Sequence, residues 1–242
     1  AGEIEHYRQY IRALRRRGIE PVVTLYHWTV PVWFSEKGAF ARSGNVKYFV
    51  RFADKVLEEL GKELRLVITV NEPDTVAGHG YYLQEHPPAT HSAIKALWVY
   101  RNHLKAHRLV YGLAKRRSRR FKVGFAKAYS NITEGDERFV TRLAVWWHRF
   151  TRDTLPLGYV GRRTDFLGVN YYFSDTYQGA QVRHDDIHYS DLGWGMHPEN
   201  LKYVLLRLGR QKKPILITET GVADEQDALR KNWLNGTIRA VH

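Results

Sequence analysis

The stretch that decides the fold is LRLVITVNEPDTVAGHG, residues Leu64–Gly80. It begins as an apolar run rich in β-branched residues, which predicts a buried β-strand over Leu64–Val70. The run ends in Asn71 and Glu72, and Pro73 follows at once. A carboxylate next to a buried strand is costly unless it is paired. The same pattern at other strands would mark a shared site.

Five segments of the sequence have this apolar, strand-like character, and helical patterns separate them. The predicted strands are Pro21–His27, Leu64–Val70, Phe121–Tyr129, Thr164–Tyr172 and Lys213–Thr220. The predicted helices lie at about residues 3–17, 45–61, 91–115, 136–150, 198–208 and 224–242. Such alternation is typical of an α/β fold with a parallel sheet covered on both faces. No composition shift or flexible linker divides the chain, so we expect residues 1–242 to form a single domain.

Two architectures fit this alternation. A (β/α)8 barrel carries its catalytic residues at the C-terminal ends of several strands. An open doubly wound sheet normally has a glycine-rich phosphate loop after its first strand, and the sequence holds neither G-x-G-x-x-G nor a Walker sequence. Four of the five predicted strands instead end in polar or aromatic groups, namely His27, Asn71 with Glu72, Asn170 with Tyr172, and Glu219. This favours an incomplete barrel of about five βα units with a site at one rim.

Glu72 and Glu219 are the carboxylates that stand directly at the ends of strongly apolar strands. Two carboxylates that face each other can divide the roles of acid and nucleophile, one protonated and the other ionised. This is the equipment for cleaving a glycosidic acetal. The alternative is that both glutamates form salt bridges to arginines at the rim. The residues alone leave both interpretations open.

The composition excludes some classes of protein and leaves others open. The chain has no cysteine, so it has neither disulfides nor thiolate metal sites. It has no uninterrupted apolar run of about 18 residues and no apolar signal region, so we expect no membrane segment and a cytoplasmic location. The net charge is +13, and part of it comes from clusters of basic residues at 15–17 and 115–120. We interpret these clusters as solvated helix ends, and nucleic-acid binding is disfavoured because no nucleic-acid motif is present.

Five stretches that span most of the chain carry a family resemblance. In order they are GIEPVVTLYHWTVPVWF, VITVNEP, DFLGVNYY, LGWGMHPENL and PILITETG. With these stretches the chain resembles glycoside hydrolase family 1, the β-glucosidase and β-glycosidase family. The resemblance implies a (β/α)8 barrel and a retaining double displacement on β-glucosides or β-galactosides, with no cofactor and no metal.

The same resemblance implies a role for each matching residue. Glu72 in the NEP motif resembles the general acid/base, and Glu219 in ITETG resembles the nucleophile. Asn71 matches the asparagine that hydrogen-bonds the sugar 2-hydroxyl, and His27 matches a histidine that binds another sugar hydroxyl. Tyr172 matches the tyrosine that hydrogen-bonds the nucleophile and holds it ionised.

Other residues allow a functional and a structural interpretation. Trp28, Trp33 and Trp194 either stack on sugar at the mouth of the site or pack loops, and the sequence leaves both open. The run HDDIH, His184–His188, has metal-ligand residue types. It lies in a polar stretch, and we interpret it as a solvated loop.

The chain also departs from the family pattern. Thr220 stands where the family usually has asparagine. The five strands correspond to the family's third to seventh, and segments for strands one, two and eight are not visible. The chain is then a piece of a longer enzyme, a partner in a barrel closed by another chain, or a reduced variant. Open sheet edges would favour self-association.

Two functions follow from the sequence. The first is a retaining β-glycosidase that binds a β-linked sugar and works with two glutamates. The alternative is a truncated glycosidase, weakly active or inactive, that retains at most sugar binding. Sugar and aglycone preference are not encoded in the motifs.

Overall fold

The computed structural model describes residues 2–183 and 188–242. Contacts between residues divide the chain into two compact units. The first comprises the chain up to Lys127 together with Val160–Leu167, and the second comprises Ala128–Tyr159 together with Gly168–His242. The expectation of a single domain over residues 1–242 stays a prediction.

The first unit alternates helices with short strands. Its helices are α1 (Gly2–Arg16), α2 (Val32–Glu36), α3 (Val46–Leu60), α4 (Pro73–Tyr81) and α5 (Ala93–Arg117), and its strands are β1 (Val22–Thr24), β2 (Leu66–Asn71) and β3 (Lys122–Ala128). Strand β2 pairs in parallel with β1 on one side and with β3 on the other. Val67 of β2 lies opposite Val23 of β1 and Val123 of β3. Valine side chains therefore lie side by side across the three strands at the middle of β2.

Helices α3 and α5 supply a large part of the core of this unit. The inward face of α3 contributes Phe49 and Ala53 to one apolar cluster and Leu57 and Leu60 to a second. These positions recur every three or four residues, which is the period of a helix with one buried face. The helix ends at Gly61, as predicted from the sequence.

Asn45 lies at the N-terminal cap position of α3, where the sequence analysis expects the helix to begin. Its side chain does not accept a hydrogen bond from the first turn of the helix. The amide instead donates to the carbonyl oxygens of Lys37 and Ala39, at 2.9 and 3.0 Å. It therefore ties the preceding loop to the helix.

The second unit contains a small sheet of its own. The strands of the unit are β4 (Asn131–Glu134), β5 (Phe166–Tyr171), β6 (Ser174–Gln178), β7 (Gln181–Arg183) and β8 (Ile215–Thr220), and its helices are α6 (Phe139–Arg149), α7 (Leu155–Val160), α8 (Leu201–Gly209) and α9 (Arg230–Val241). Strands β4, β6 and β7 form the small sheet, with β4 parallel to β6 and β7 antiparallel to it. The sequence analysis does not predict this sheet.

The large sheet has the strand order β1-β2-β3-β5-β8, which is the order of these strands along the chain. A doubly wound sheet reverses its strand order at a switch point, whereas a barrel adds each new strand beside the previous one. The observed order is therefore the order of a barrel, with the five strands that the sequence predicts. Strands β1 and β8 lie at the two ends of this order, and self-association through them stays a prediction.

Candidate active site

The C-terminal end of β2 is held between its two neighbouring strands. The Asn71 amide donates to the carbonyl oxygen of Tyr26 at 3.0 Å, and the Glu72 amide donates to that of Ala126 at 2.9 Å. The register between β2 and β3 shifts between Ile68 and Asn71. Such an irregularity bends a strand and changes the direction of its side chains, and it is frequent beside active sites. Buried apolar residues before the shift fix the strand, so the two polar residues after it are held rigidly.

Glu72 adopts a backbone conformation that glycine usually takes. Its φ and ψ are 45° and 63°, in the left-handed region. For a residue with a side chain this conformation costs on the order of 1–2 kcal/mol. The residue is buried, and Pro73 after it occupies the first position of α4. The proline therefore starts α4 directly after Glu72.

His27 and Asn71, the two predicted sugar ligands at these strands, lie side by side. The amide nitrogen Nδ2 of Asn71 is 3.3 Å from Nε2 of His27. An amide nitrogen can only donate, so Nε2 accepts and the imidazole carries its proton on Nδ1. Asn71 is buried and His27 is exposed. Asn71 is therefore held rigidly, and His27 is accessible to a ligand.

A buried ion pair lies beside this turn. Nζ of Lys127 is 2.9 Å from Oδ2 of Asp74, and the lysine side chain is almost wholly buried. Asp74 is two residues after Glu72, and Lys127 follows Ala126, whose carbonyl accepts from the Glu72 amide. The pair thus joins α4 to the end of β3 around Glu72. The sequence motifs do not predict this pair, although a lysine near the end of an apolar strand is a visible signal.

Helix α5 places a neutral histidine behind the same turn. His103 is fully buried, stacked on Tyr26 with ring centroids 5.2 Å apart, and tilted against Phe40 at 4.3 Å. Burial lowers the pKa of His103 to about 3, and a backbone interaction with Pro73 opposes the shift. The side chain is therefore uncharged at neutral pH and serves as part of the aromatic core under β1.

In the second unit, Tyr172 and Glu219 are in direct contact. The Tyr172 hydroxyl donates to Oε2 of Glu219 at 2.7 Å. One residue earlier in β8, Thr218 donates from Oγ1 to Oδ1 of Asn170 at 2.6 Å. Two hydrogen bonds therefore connect the ends of β5 and β8 and orient the glutamate.

Thr220, the departure from the family pattern, has a structural contact. Its Oγ1 accepts a hydrogen bond from the indole nitrogen of Trp233 at 2.9 Å. Trp233 is fully buried and stacks on Tyr171, with ring centroids 5.8 Å apart. The threonine thus anchors the end of β8 on helix α9.

The three candidate tryptophans have different surroundings. Trp194 packs near the rings of Tyr172 and Phe173, with centroid distances of 6.0 and 5.2 Å. Trp28 lies next to His27, and Trp33 packs edge-on against two helix aromatics, Phe34 of α2 and Tyr48 of α3. Trp194 and Trp28 therefore accompany predicted site residues, whereas Trp33 packs against protein.

The structure thus places the predicted site residues in two groups, each within one unit. His27, Asn71 and Glu72 form the first group, and Tyr172 and Glu219 form the second. The meeting of both glutamates over one sugar stays a prediction. The first four residues of the HDDIH run lie outside the described residues. Within the described ranges, no cluster of three or more histidine, aspartate or glutamate side chains could hold a metal ion.

Comparison with known proteins identifies the family. The model of glycosyl hydrolase family 1 matches residues 1–143, which is more than half of the chain. The chain therefore belongs to glycosyl hydrolase family 1.

Solved and curated relatives agree with this assignment. A β-glycosidase from Pyrococcus horikoshii is 31% identical, with a TM-score of 0.90 over 99% of this chain and 62% of that one. A β-galactosidase of Sulfolobus acidocaldarius is 28% identical over 99% of this chain and 58% of its own length. A protein of Arabidopsis thaliana named galactolipid galactosyltransferase SFR2, chloroplastic, is 25% identical over 99% of this chain and 41% of its own. These likenesses confirm the predicted fold class, an incomplete (β/α)8 barrel.

The chain spans about two fifths to three fifths of the length of these relatives. Among the described helices, none has both the length and the apolar character that crossing a membrane requires.

Proposed function

We propose that the protein acts as a retaining β-glycosidase on β-glucosides or β-galactosides. In the first step, the Glu219 carboxylate attacks the anomeric carbon while Glu72 gives its proton to the departing glycosidic oxygen. This leaves a covalent glycosyl-enzyme and a free alcohol. In the second step, Glu72 takes a proton from water, which attacks the anomeric carbon and releases the sugar and Glu219.

The hydrogen bond between Tyr172 and Glu219 is the observation that carries this proposal. A nucleophilic carboxylate must be held in one orientation, and the 2.7 Å contact from the hydroxyl supports this. The salt-bridge alternative fits Glu219 less well, because the partner that the structure describes is a neutral hydroxyl.

The surroundings of Glu72 support the role of acid and base. The residue is buried at a rigid strand end, and its backbone is held in a strained conformation. Strained residues are concentrated at functional sites, where the surrounding structure holds them in place. The adjacent Asn71 and His27 provide groups for sugar hydroxyls, and contacts of that kind strengthen in the transition state.

Azide rescue of two variants tests both assignments. Glu219→Ala should no longer cleave an aryl β-glucoside. Azide should restore turnover with an α-glycosyl azide as product, because it attacks the anomeric carbon from the face of the sugar that the removed carboxylate would occupy. Glu72→Ala should keep formation of the glycosyl-enzyme on a substrate with a good leaving group, and azide should then give a β-glycosyl azide. Glu225→Ala, an exposed glutamate after β8, is the control. Wild-type turnover in Glu219→Ala rejects the nucleophile assignment.

A glycosidase fragment that only binds sugar is the alternative, because the chain spans only part of its relatives. It predicts no turnover by the wild-type chain, together with a higher melting temperature in glucose or galactose. Turnover that depends on Glu219 excludes it. The predicted cytoplasmic location stays a prediction.

Transfer of the sugar to an alcohol other than water is a second candidate activity. The Arabidopsis relative is named as a galactosyltransferase, and it aligns with 99% of this chain. Transfer uses the same glycosyl-enzyme and differs only in the acceptor of the second step. Product analysis with added glycerol or galactolipid as acceptor distinguishes the two reactions.

A further inference from the structure

Helix α6 presents its large apolar side chains to solvent. Phe139, Leu143 and Trp146 recur at intervals of three or four residues, with Val140 and Trp147 beside them, and the half-buried Phe150 directly after the helix continues the pattern. Phe139 is 79% exposed, Trp146 55% and Trp147 58%. This apolar stripe covers about a third of the helix circumference, which in a globular protein normally faces the core.

The opposite face of α6 holds the helix in this orientation. Thr141 and Val145 are buried, and Oγ1 of Thr141 accepts a hydrogen bond from the Gly179 amide at 2.8 Å. Nδ1 of His148 and the hydroxyl of Tyr177 are hydrogen-bonded at 2.9 Å. Arg149 reaches the carbonyl oxygen of Ile132. The helix is thus fixed to the small sheet by its polar face, and the apolar stripe points away.

The aromatic rings of the stripe pack against one another. Trp146 and Phe150 are stacked with centroids 5.2 Å apart and ring planes 6° apart, and Trp147 lies 6.3 Å from both rings. An exposed apolar patch of this kind on a monomer marks an interaction site.

The charges of the helix indicate the nature of the partner. Arg142 is the exposed cation of α6 beside the stripe, whereas His148 and Arg149 contact the small sheet on the opposite face, and the helix contains no acidic residue. Arg142 is largely exposed and only loosely paired, 3.9 Å from Glu134. A cavity of about 420 Å³ beside the stripe is lined by Leu143, Trp147, His148, Arg152 and Tyr177 among others, and none of its described lining residues is acidic. An anionic partner fits these charges.

We propose that α6 is an interfacial helix that docks the protein on an anionic lipid surface. Tryptophan and phenylalanine on one face with arginine beside them are the composition of helices that lie in the headgroup region of a bilayer. The net charge of +13 adds long-range attraction to such a surface. The proposal concerns binding to a membrane surface and not a membrane-spanning segment, and it is independent of the catalytic proposal.

A second copy of the chain fits the stripe less well. Aromatic side chains present roughly 150–250 Å² each when fully exposed, so the half-exposed stripe offers on the order of 600 Å². A standard interface buries about 800 Å² on each partner. Pairing two copies through α6 would also bring together helices whose charges are all basic, which is unfavourable.

Vesicle sedimentation tests the proposal with the full 242-residue chain. The wild-type protein should bind vesicles of phosphatidylcholine mixed with phosphatidylglycerol, and bind phosphatidylcholine alone more weakly. Replacing Phe139, Trp146 and Trp147 together by glutamine should weaken binding at least about tenfold, because buried aromatic surface is lost. All three side chains are more than half exposed, so the variant should fold. Lipids brominated on their acyl chains should quench tryptophan fluorescence in the wild type and much less in the variant.

The matched control replaces Tyr7 and Tyr10 of α1 by glutamine. Both are exposed to a similar extent, 58% and 61%, on a helix that is also rich in arginine. This control should bind as the wild type does. Failure of the wild type to bind mixed vesicles, or equal loss in both variants, overturns the proposal. So does a wild-type dimer in sedimentation velocity that the α6 variant abolishes, since the stripe would then be an interface between copies.

Discussion

The Tyr172 hydroxyl donates a hydrogen bond of 2.7 Å to Oε2 of Glu219. Tyr172 directly follows β5, and Glu219 is the penultimate residue of β8. Neighbouring strands of the sheet therefore supply a carboxylate and the group that orients it. A rigid scaffold of this kind is what a nucleophile needs, because a displaced carboxylate loses its alignment with the anomeric carbon.

Tyr172→Phe tests this contact with the smallest change in shape. A hydrogen bond to a charged group contributes about 1.5–3 kcal/mol, so kcat/KM for an aryl β-glucoside should fall roughly 10–100-fold. The variant should still form the glycosyl-enzyme, which mass spectrometry detects with a slow 2-fluoro sugar. Tyr203→Phe, on the exposed surface of α8, should leave the rate unchanged. A Tyr172→Phe rate within twofold of the wild type would show that the hydroxyl has no role in the reaction.

The left-handed conformation of Glu72 predicts a difference between two substitutions. Glu72→Gly relieves the backbone strain and Glu72→Ala does not, so the glycine variant should be about 1 kcal/mol more stable in urea unfolding. At Arg51, on the exposed face of α3, the alanine variant should be more stable than the glycine variant, because glycine weakens a helix interior. Equal stability of the two Glu72 variants would mean that the turn relaxes and stores no strain.

The strands of the large sheet were predictable because their apolar runs carry a strong local signal. All five predicted strands are found, shortened by one to four residues. The small sheet was not predictable, since β4 has the short sequence NITE and β7 has only three residues, QVR. Such strands depend on pairing with partners distant in sequence, and their own residues show no clear alternation.

The candidate site residues are visible in the sequence where a charge interrupts an apolar strand, and their roles stay predictions. Glu72 and Glu219 are visible for this reason, and the contact of Tyr172 with Glu219 agrees with the role that the resemblance implies. The exposed stripe of α6 was not predictable, because a periodic apolar pattern normally indicates a buried face. The burial of Thr141 and Val145 and the polar contacts of Thr141, His148 and Arg149 show which face is buried.

The pair of Lys127 and Asp74 gives a prediction about stability near the site. Removing one partner leaves a buried charge, so Lys127→Met alone should cost about 3 kcal/mol of unfolding free energy. Asp74→Asn should restore part of that loss in the double variant, and a double-mutant cycle should give a coupling of about 1–3 kcal/mol. The cycle for the exposed pair Lys55 and Glu59, only 2.6 Å apart, should give a much smaller coupling. Similar couplings in both cycles would contradict the importance of burial.

A second buried histidine of α5 makes the stability depend on pH. Nε2 of His107 is 2.6 Å from the carbonyl oxygen of Arg163, so it must donate its proton there. Nδ1 then accepts from the Thr69 hydroxyl at 2.7 Å. Burial lowers the pKa of His107 from 6.5 to about 4 in the folded chain, while the Arg163 carbonyl and the Asp165 charge oppose the shift. The neutral imidazole is thus built into the contact between α5 and β2.

The sign of the pH effect follows from this lowered pKa. Above pH 6.5 the imidazole is neutral in both states, and between about 6.5 and 4 only the unfolded chain binds the proton, so acidification favours unfolding. His107 alone should remove about 2 kcal/mol of stability between pH 7 and pH 5. In His107→Gln, the unfolding free energy from urea titration should fall by about that much less between pH 7 and pH 5 than it does in the wild type. This holds even if the variant is less stable at both pH values. His6→Gln, an exposed histidine of α1, serves as the control and should keep the wild-type difference. An unchanged difference in His107→Gln would show that the folded chain takes up the proton at His107 as readily as the unfolded chain does.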